Sequence, residues 1–124
     1  MEKVNLAAGF ATIQEPWRPR VAASLNGQEV KLARLEGAFV WHHHEAEDEL
    51  FLVVAGRLRM EFRDRTVDLG PGELIVVPRG VEHRPVAEPM AEVLLFEPAG
   101  VLNTGNVVDP VYTAPKGQRL DSAR

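Results

Sequence analysis

The chain has 124 residues, about the length of one domain with one core. Its 14 Lys and Arg stand against 18 Asp and Glu, a formal charge of -4 with no basic block, so nucleic acid is a poor partner and small neutral or metal-chelating ligands fit better. No cysteine is present, which excludes disulfides, thiolate metal sites and cysteine nucleophiles and leaves nitrogen and oxygen to hold any metal.

Residues 1–29 read as an arm. The stretch MEKVNLAAGFATIQE carries one basic residue, and its short apolar run is interrupted by Asn5 and Thr12. A signal peptide needs a longer apolar core, and nothing in the chain approaches the roughly 20 apolar residues of a membrane span. The expectation is a cytoplasmic protein with no membrane partner. Two prolines in EPWRPR forbid a central strand and suggest an extended edge segment.

From residue 30 to 98 the pattern is one of short strands punctuated by Gly and Pro, with Gly37, Gly56, Gly70, Gly72 and Gly80 read as turns between them. The runs are Val30–Leu35, Ala38–His44, Leu50–Val54, Leu58–Arg63, Thr66–Leu69, Leu74–Val77, Glu82–Val86 and Val93–Glu97. In RLRMEFR, Leu58, Met60 and Phe62 share one face and the charged residues the other. Nowhere do apolar residues recur at helical spacing over ten or more residues. An all-β domain of about eight antiparallel strands follows, either a sandwich or a closed jelly-roll barrel. Residues 99–124 form a turn-rich segment, AGVLNTGNVVDP, and a polar tail.

Three of the four histidines are consecutive at 42–44. Such a run is either a solvated turn or a metal site, and strand geometry separates the two. Residues two apart on a strand project from one face, so His42 and His44 can aim at one point while His43 faces away. Glu49, at the mouth of the next strand, comes back beside them through a turn of Glu45 to Asp48. His83 is the one histidine left to complete the set from a distant strand.

The arrangement His42-x-His44-x4-Glu49-x6-Gly56, followed by Gly72-x5-Pro78-x-Gly80-x2-His83, resembles the paired motifs of the cupin superfamily. WHHHEAEDELFLV, LGPGELIVVPRGVEHRPV and EPAGVLNTGN resemble the small single-domain cupins labelled mannose-6-phosphate-isomerase-like. Two positions depart from the family pattern: four residues rather than five separate Gly37 from His42, and Ala87 stands where an Asn is usual. The resemblance implies a jelly-roll barrel with one divalent metal inside, bound by His42, His44, Glu49 and His83. Three imidazoles and a carboxylate suit Fe, Mn, Ni, Zn, Co or Cu rather than Mg or Ca.

Trp41 is expected on the face opposite His42, and Phe51 on the face of Glu49, in the core or lining the cavity. Arg79 and Arg84 are ordinary surface charges or anion contacts, the acidic loop at 45–48 is a solvated turn, and Glu97 is a buried acid or a rim residue. An outer apolar face bearing Phe39 and Trp41, with the N-terminal arm as an added edge strand, points to a homodimer. Two functions fit: a metal-dependent enzyme of dioxygenase or isomerase type acting on a small molecule, or a non-catalytic module that binds or senses a small ligand or the metal.

Overall fold

The computed structural model describes residues 1–121, so the last three residues of the polar tail lie outside the described residues. Leu6–Ala11 forms a short helix, α1, followed by six strands: β1 Arg20–Leu25, β2 Gln28–Ala38, β3 Glu49–Phe62, β4 Thr66–Leu69, β5 Leu74–Val77 and β6 His83–Pro98. All pairings between these strands are antiparallel, in the order β1-β2-β6-β3-β4, with β5 also paired to β3. The result is an all-β antiparallel barrel.

Two strands are far longer than the sequence pattern suggests. The runs 50–54 and 58–63 are one bent strand, β3, and the runs 82–86 and 93–97 are one bent strand, β6. The bend comes from bulges: register shifts fall between Val53 and Ala55, and between Gly56 and Leu58. Gly56 therefore acts as a bulge residue rather than a turn. Its φ of 80° and its close approach to the backbone of Met90 and Ala91 leave no room for a Cβ. Pro89 falls in the stretch 88–90, which joins neither ladder, so its missing N–H interrupts no pairing.

The alternation expected at 58–62 is present. Leu58 and Met60 are buried, and Phe62 packs against the same core. Burying each of Leu58 and Met60 contributes roughly 1.5–3 kcal/mol. Phe51, Val53, Val93 and Leu95 extend this interior across β3 and β6.

Three expectations fail. The strand expected at Ala38–His44 is absent: β2 ends at Ala38, and of the six residues that follow only His42 bridges, to His83. The apolar outer face with Phe39 does not exist either. Once the chain leaves strand geometry, alternation no longer governs which side a residue faces, and Phe39 turns inward to stack on Trp17 at 4.5 Å between ring centroids. The arm also contains a helix, too short for a ten-residue periodicity to register. Asn5 caps it by accepting a 2.9 Å hydrogen bond from the Ala8 N–H. It buries Phe10 beside Ile13, Ala22 and Leu32 under the sheet. The rest of the arm supplies β1, which pairs with β2 of the same chain.

Candidate metal centre

His42, His44, Glu49 and His83 converge. One ligand atom from each lies within 4.8 Å of all the others, and all four residues are buried. Glu49 opens β3 and His83 opens β6, so the ladders fix both positions. His42 is tied to His83 by reciprocal backbone bonds of 3.0 and 2.9 Å. His44 is held through its carbonyl, which accepts from the Gly80 N–H at 2.7 Å. His43 faces away and pairs with Glu45 outside the barrel.

Two of the imidazoles are oriented by the backbone. The Nδ1–H of His42 donates to the Val40 carbonyl, and that of His83 to the Val81 carbonyl, each at 2.9 Å. A carbonyl only accepts, so Nδ1 carries the proton and Nε2 presents its lone pair. This is the usual way in which an outer hydrogen bond sets a metal-ligating imidazole.

The Nε2 atoms of His44 and His83 and Oε1 of Glu49 are fully buried without a hydrogen-bond partner among the described residues. Their mutual separations, 3.3 Å from His44 and 3.7 Å from His83 to Glu49, are too long for good hydrogen bonds. Buried polar atoms left unpaired are costly. Three of them aimed at one point fit a cation: the four residues could hold a metal.

The titration of the site suits the same purpose. Burial, with the neighbouring His83 charge next, lowers the His42 pKa from 6.5 to about 4, so this ring stays neutral in ordinary buffers. Burial alone pushes Glu49 upward, yet His44, His83 and Glu97 together hold it well below the usual carboxylate range. Neutral imidazoles and an ionised carboxylate are the protonation states that bind metal.

Glu97 is the buried acid of the two alternatives. It lies opposite Glu29 on β2, and the Leu50–Phe96 pairing places it beside Glu49 on β3. Lys31 donates a 2.9 Å hydrogen bond to its Oε1, and both side chains are almost fully buried. Burial and the Glu49 charge push the Glu97 pKa well above the usual carboxylate value.

His42 and Glu49 of the cluster open onto a narrow cavity whose polar lining they share with Glu97 and Asn103. The other walls are apolar, with Trp17, Phe39 and Phe51 as the aromatic ones. Phe51 thus lines the cavity, with its ring 6.2 Å from that of His83. Trp17 escaped the sequence reading. Its position between Pro16 and Pro19 in EPWRPR was the signal, since an aromatic on a rigid arm can be laid across a barrel mouth. The indole Nε1–H donates to the Glu36 carbonyl at 2.9 Å.

The arginines play no part in the cavity. Arg79 pairs with Asp48, while Arg84 pairs with Glu61 and lies over Trp41, which Arg63 covers more closely at 3.8 Å. His44 also borders a polar groove on the other side, beside Glu45, Glu47, Asn106 and Lys116.

A barrel with a buried His3Glu cluster beside an apolar cavity is an arrangement that could hold a metal. Residues 24–96 match the cupin domain family, and the chain belongs to the cupin superfamily. It is 35% identical over 81 residues to the YdbB protein of Bacillus subtilis (strain 168), covering 64% of this chain and 72% of that protein. A solved cupin-2 domain containing protein from Shewanella frigidimarina NCIMB 400 is 41% identical, with a TM-score of 0.75 over 77% of this chain and 93% of that one. Hydroquinone 1,2-dioxygenase from Sphingomonas sp. TTNP3 shares the fold at 18% identity, with a TM-score of 0.67 over 79% of this chain and 74% of that one. Among the described residues no helix is long and apolar enough to cross a membrane.

Proposed function

We propose that this cupin is a metal-dependent enzyme of the dioxygenase type, in which His42, His44, Glu49 and His83 ligate one divalent transition metal. The observation that carries it is the trio of buried, unpartnered polar atoms on His44, Glu49 and His83, in a cluster whose His42 and Glu49 line an apolar cavity. Four protein ligands leave two positions of an octahedron open, and a metal there supplies Lewis acidity and, for iron or manganese, redox chemistry.

The protein's own contribution is selection and shielding. Trp17, Phe39 and Phe51 form walls for a flat, largely apolar molecule, and they keep water from the ligand cluster. That lining supports a phenol-like or dione-like substrate over a sugar phosphate. An isomerase acting on a sugar would need hydrogen-bonding walls and a phosphate clamp, and among the described residues no Lys or Arg lines this cavity. The resemblance to mannose-6-phosphate-isomerase-like cupins accordingly brings no sugar-phosphate chemistry into this proposal.

The test is to load the purified protein with Fe(II) under nitrogen, admit oxygen, and follow its uptake with a panel of diketones and phenols. The expected result is near-stoichiometric metal by elemental analysis and substrate-dependent oxygen uptake. Full metal loading with no uptake for any compound, and a small molecule retained through purification, would favour a binding module instead.

We further propose a cytoplasmic homodimer. Leu74 and Val76 on β5, each half or more exposed, support a face that a second copy covers. A monomeric mass in solution at micromolar concentration would count against it.

A further inference from the structure

We propose that the segment 102–106, LNTGN, is a positioning clamp that sets the relative aim of the two imidazoles of His42 and His44; the inference rests on the metal reading of that pair. Both residues sit on an irregular stretch with a single bridge to β6. On such a stretch the backbone torsions of His43, not a strand register, decide the angle between its two neighbours. Asn106 takes hold of that one residue from both sides. Its Oδ1 accepts from the His43 N–H at 2.8 Å, and its own N–H donates to the His43 carbonyl at 3.1 Å.

Gly105 makes this grip possible. Its φ is +57°, and an added Cβ would overlap the His43 carbonyl and stand 3.2 Å from Cδ2 of His42. Only glycine lets the loop backbone come this close. The two residues before it anchor the clamp. Asn103 donates to the carbonyls of Trp17 and Tyr112 at 3.1 and 2.8 Å and accepts from the Ala114 N–H. Thr104, fully buried, donates to the Val107 carbonyl and meets the Thr113 hydroxyl. Each of the four residues Asn103 to Asn106 therefore has an assigned contact, and the segment joins the cavity wall at Trp17 to the ligand pair. Outer contacts that orient metal ligands typically change affinity by roughly 10–100-fold.

The test compares wild type, Asn106→Ala and Asn106→Asp by calorimetric titration with Co(II), together with hydrogen exchange of the His43 amide in the metal-free proteins. The alanine variant should bind Co(II) about tenfold more weakly, the lower end of that range because Asn106 is exposed. Its His43 amide should exchange faster at an unchanged Tm. The aspartate variant keeps an acceptor for the His43 N–H and should bind close to wild type. Equal affinity for wild type and Asn106→Ala overturns the clamp, as does an aspartate variant as weak as the alanine one. If wild type takes up no Co(II), the metal reading falls by itself. The clamp is then judged on His43 exchange, and an unchanged rate in Asn106→Ala overturns it.

Discussion

The candidate ligand cluster is assembled from two unlike halves. Glu49 and His83 begin the two longest strands, and ladder pairs to Val77 and Phe62 place them as a direct consequence of sheet register. His42 and His44 lie on a stretch that has left the sheet. There, Phe39 and His42 both face the cavity, with ring centroids 5.3 Å apart, an arrangement strand alternation forbids. On the strand half the register fixes the backbone and the Val81 carbonyl adds only the ring orientation of His83, whereas the irregular half depends for its backbone as well on separate props: the Val40 carbonyl, the Gly80 N–H and the Asn106 grip. Leaving the sheet brings an aromatic wall and a ligand into one cavity, and the extra contacts restore the lost rigidity.

The comparison can be broken most severely at the strand half. His83→Ala removes a fully buried ligand, so metal affinity should fall by more than the roughly 100-fold upper bound for loss of an outer contact. The circular dichroism of the sheet should persist. Retained metal in both His83→Ala and His42→Ala would refute the shared site. The next effect concerns the charged row behind Glu49. Glu97→Leu strands the Lys31 ammonium in the interior, with Glu29 3.8 Å away as its remaining partner. Breaking a buried pair in this way costs about 3–5 kcal/mol. Adding Lys31→Met should restore most of that stability in urea unfolding; simple additivity of the two losses would show that the pair is not coupled.

The same division governs what could be read from the chain. The four-residue cluster was legible because histidine count and motif spacing depend on residue identity at fixed intervals; strand parity pointed to the same pair of histidines although the strand it assumed ends at Ala38. The interior face of β3 was legible because Leu58, Met60 and Phe62 alternate with charge. Gly56 was misread as a turn, since a glycine bulge and a glycine turn leave the same mark in sequence, and only the partner strand distinguishes them. Phe39 was misplaced because alternation was carried past the end of β2. Trp17 and Asn106 lie 25 and 64 residues from His42 along the chain, and contacts at that separation leave no periodic trace.

Two smaller effects sharpen the contrast on the irregular side. The metal-free protein should lose stability as pH falls. His42 titrates at about 4 when folded, against about 6.5 in an unfolded chain, so the unfolded state binds more protons between those values. Stability is therefore full above about pH 6.5, declines toward pH 4 and gains no further loss from this group below that. Replacing His42 with Gln should flatten the decline in urea titrations at stepped pH, and an unaltered slope would assign it to other groups. Smallest of all is the effect of Trp41→Ala. The indole sits one residue from a ligand but outside the barrel, under Arg63 at 3.8 Å. Losing that exposed cation–π contact should cost about 0.5–1 kcal/mol. Co(II) affinity should stay at the wild-type value, because the props on His42 and His44 are backbone contacts in which Trp41 takes no part. A tenfold loss of affinity in Trp41→Ala would mean that the irregular stretch is held from its outer side as well as by Asn106.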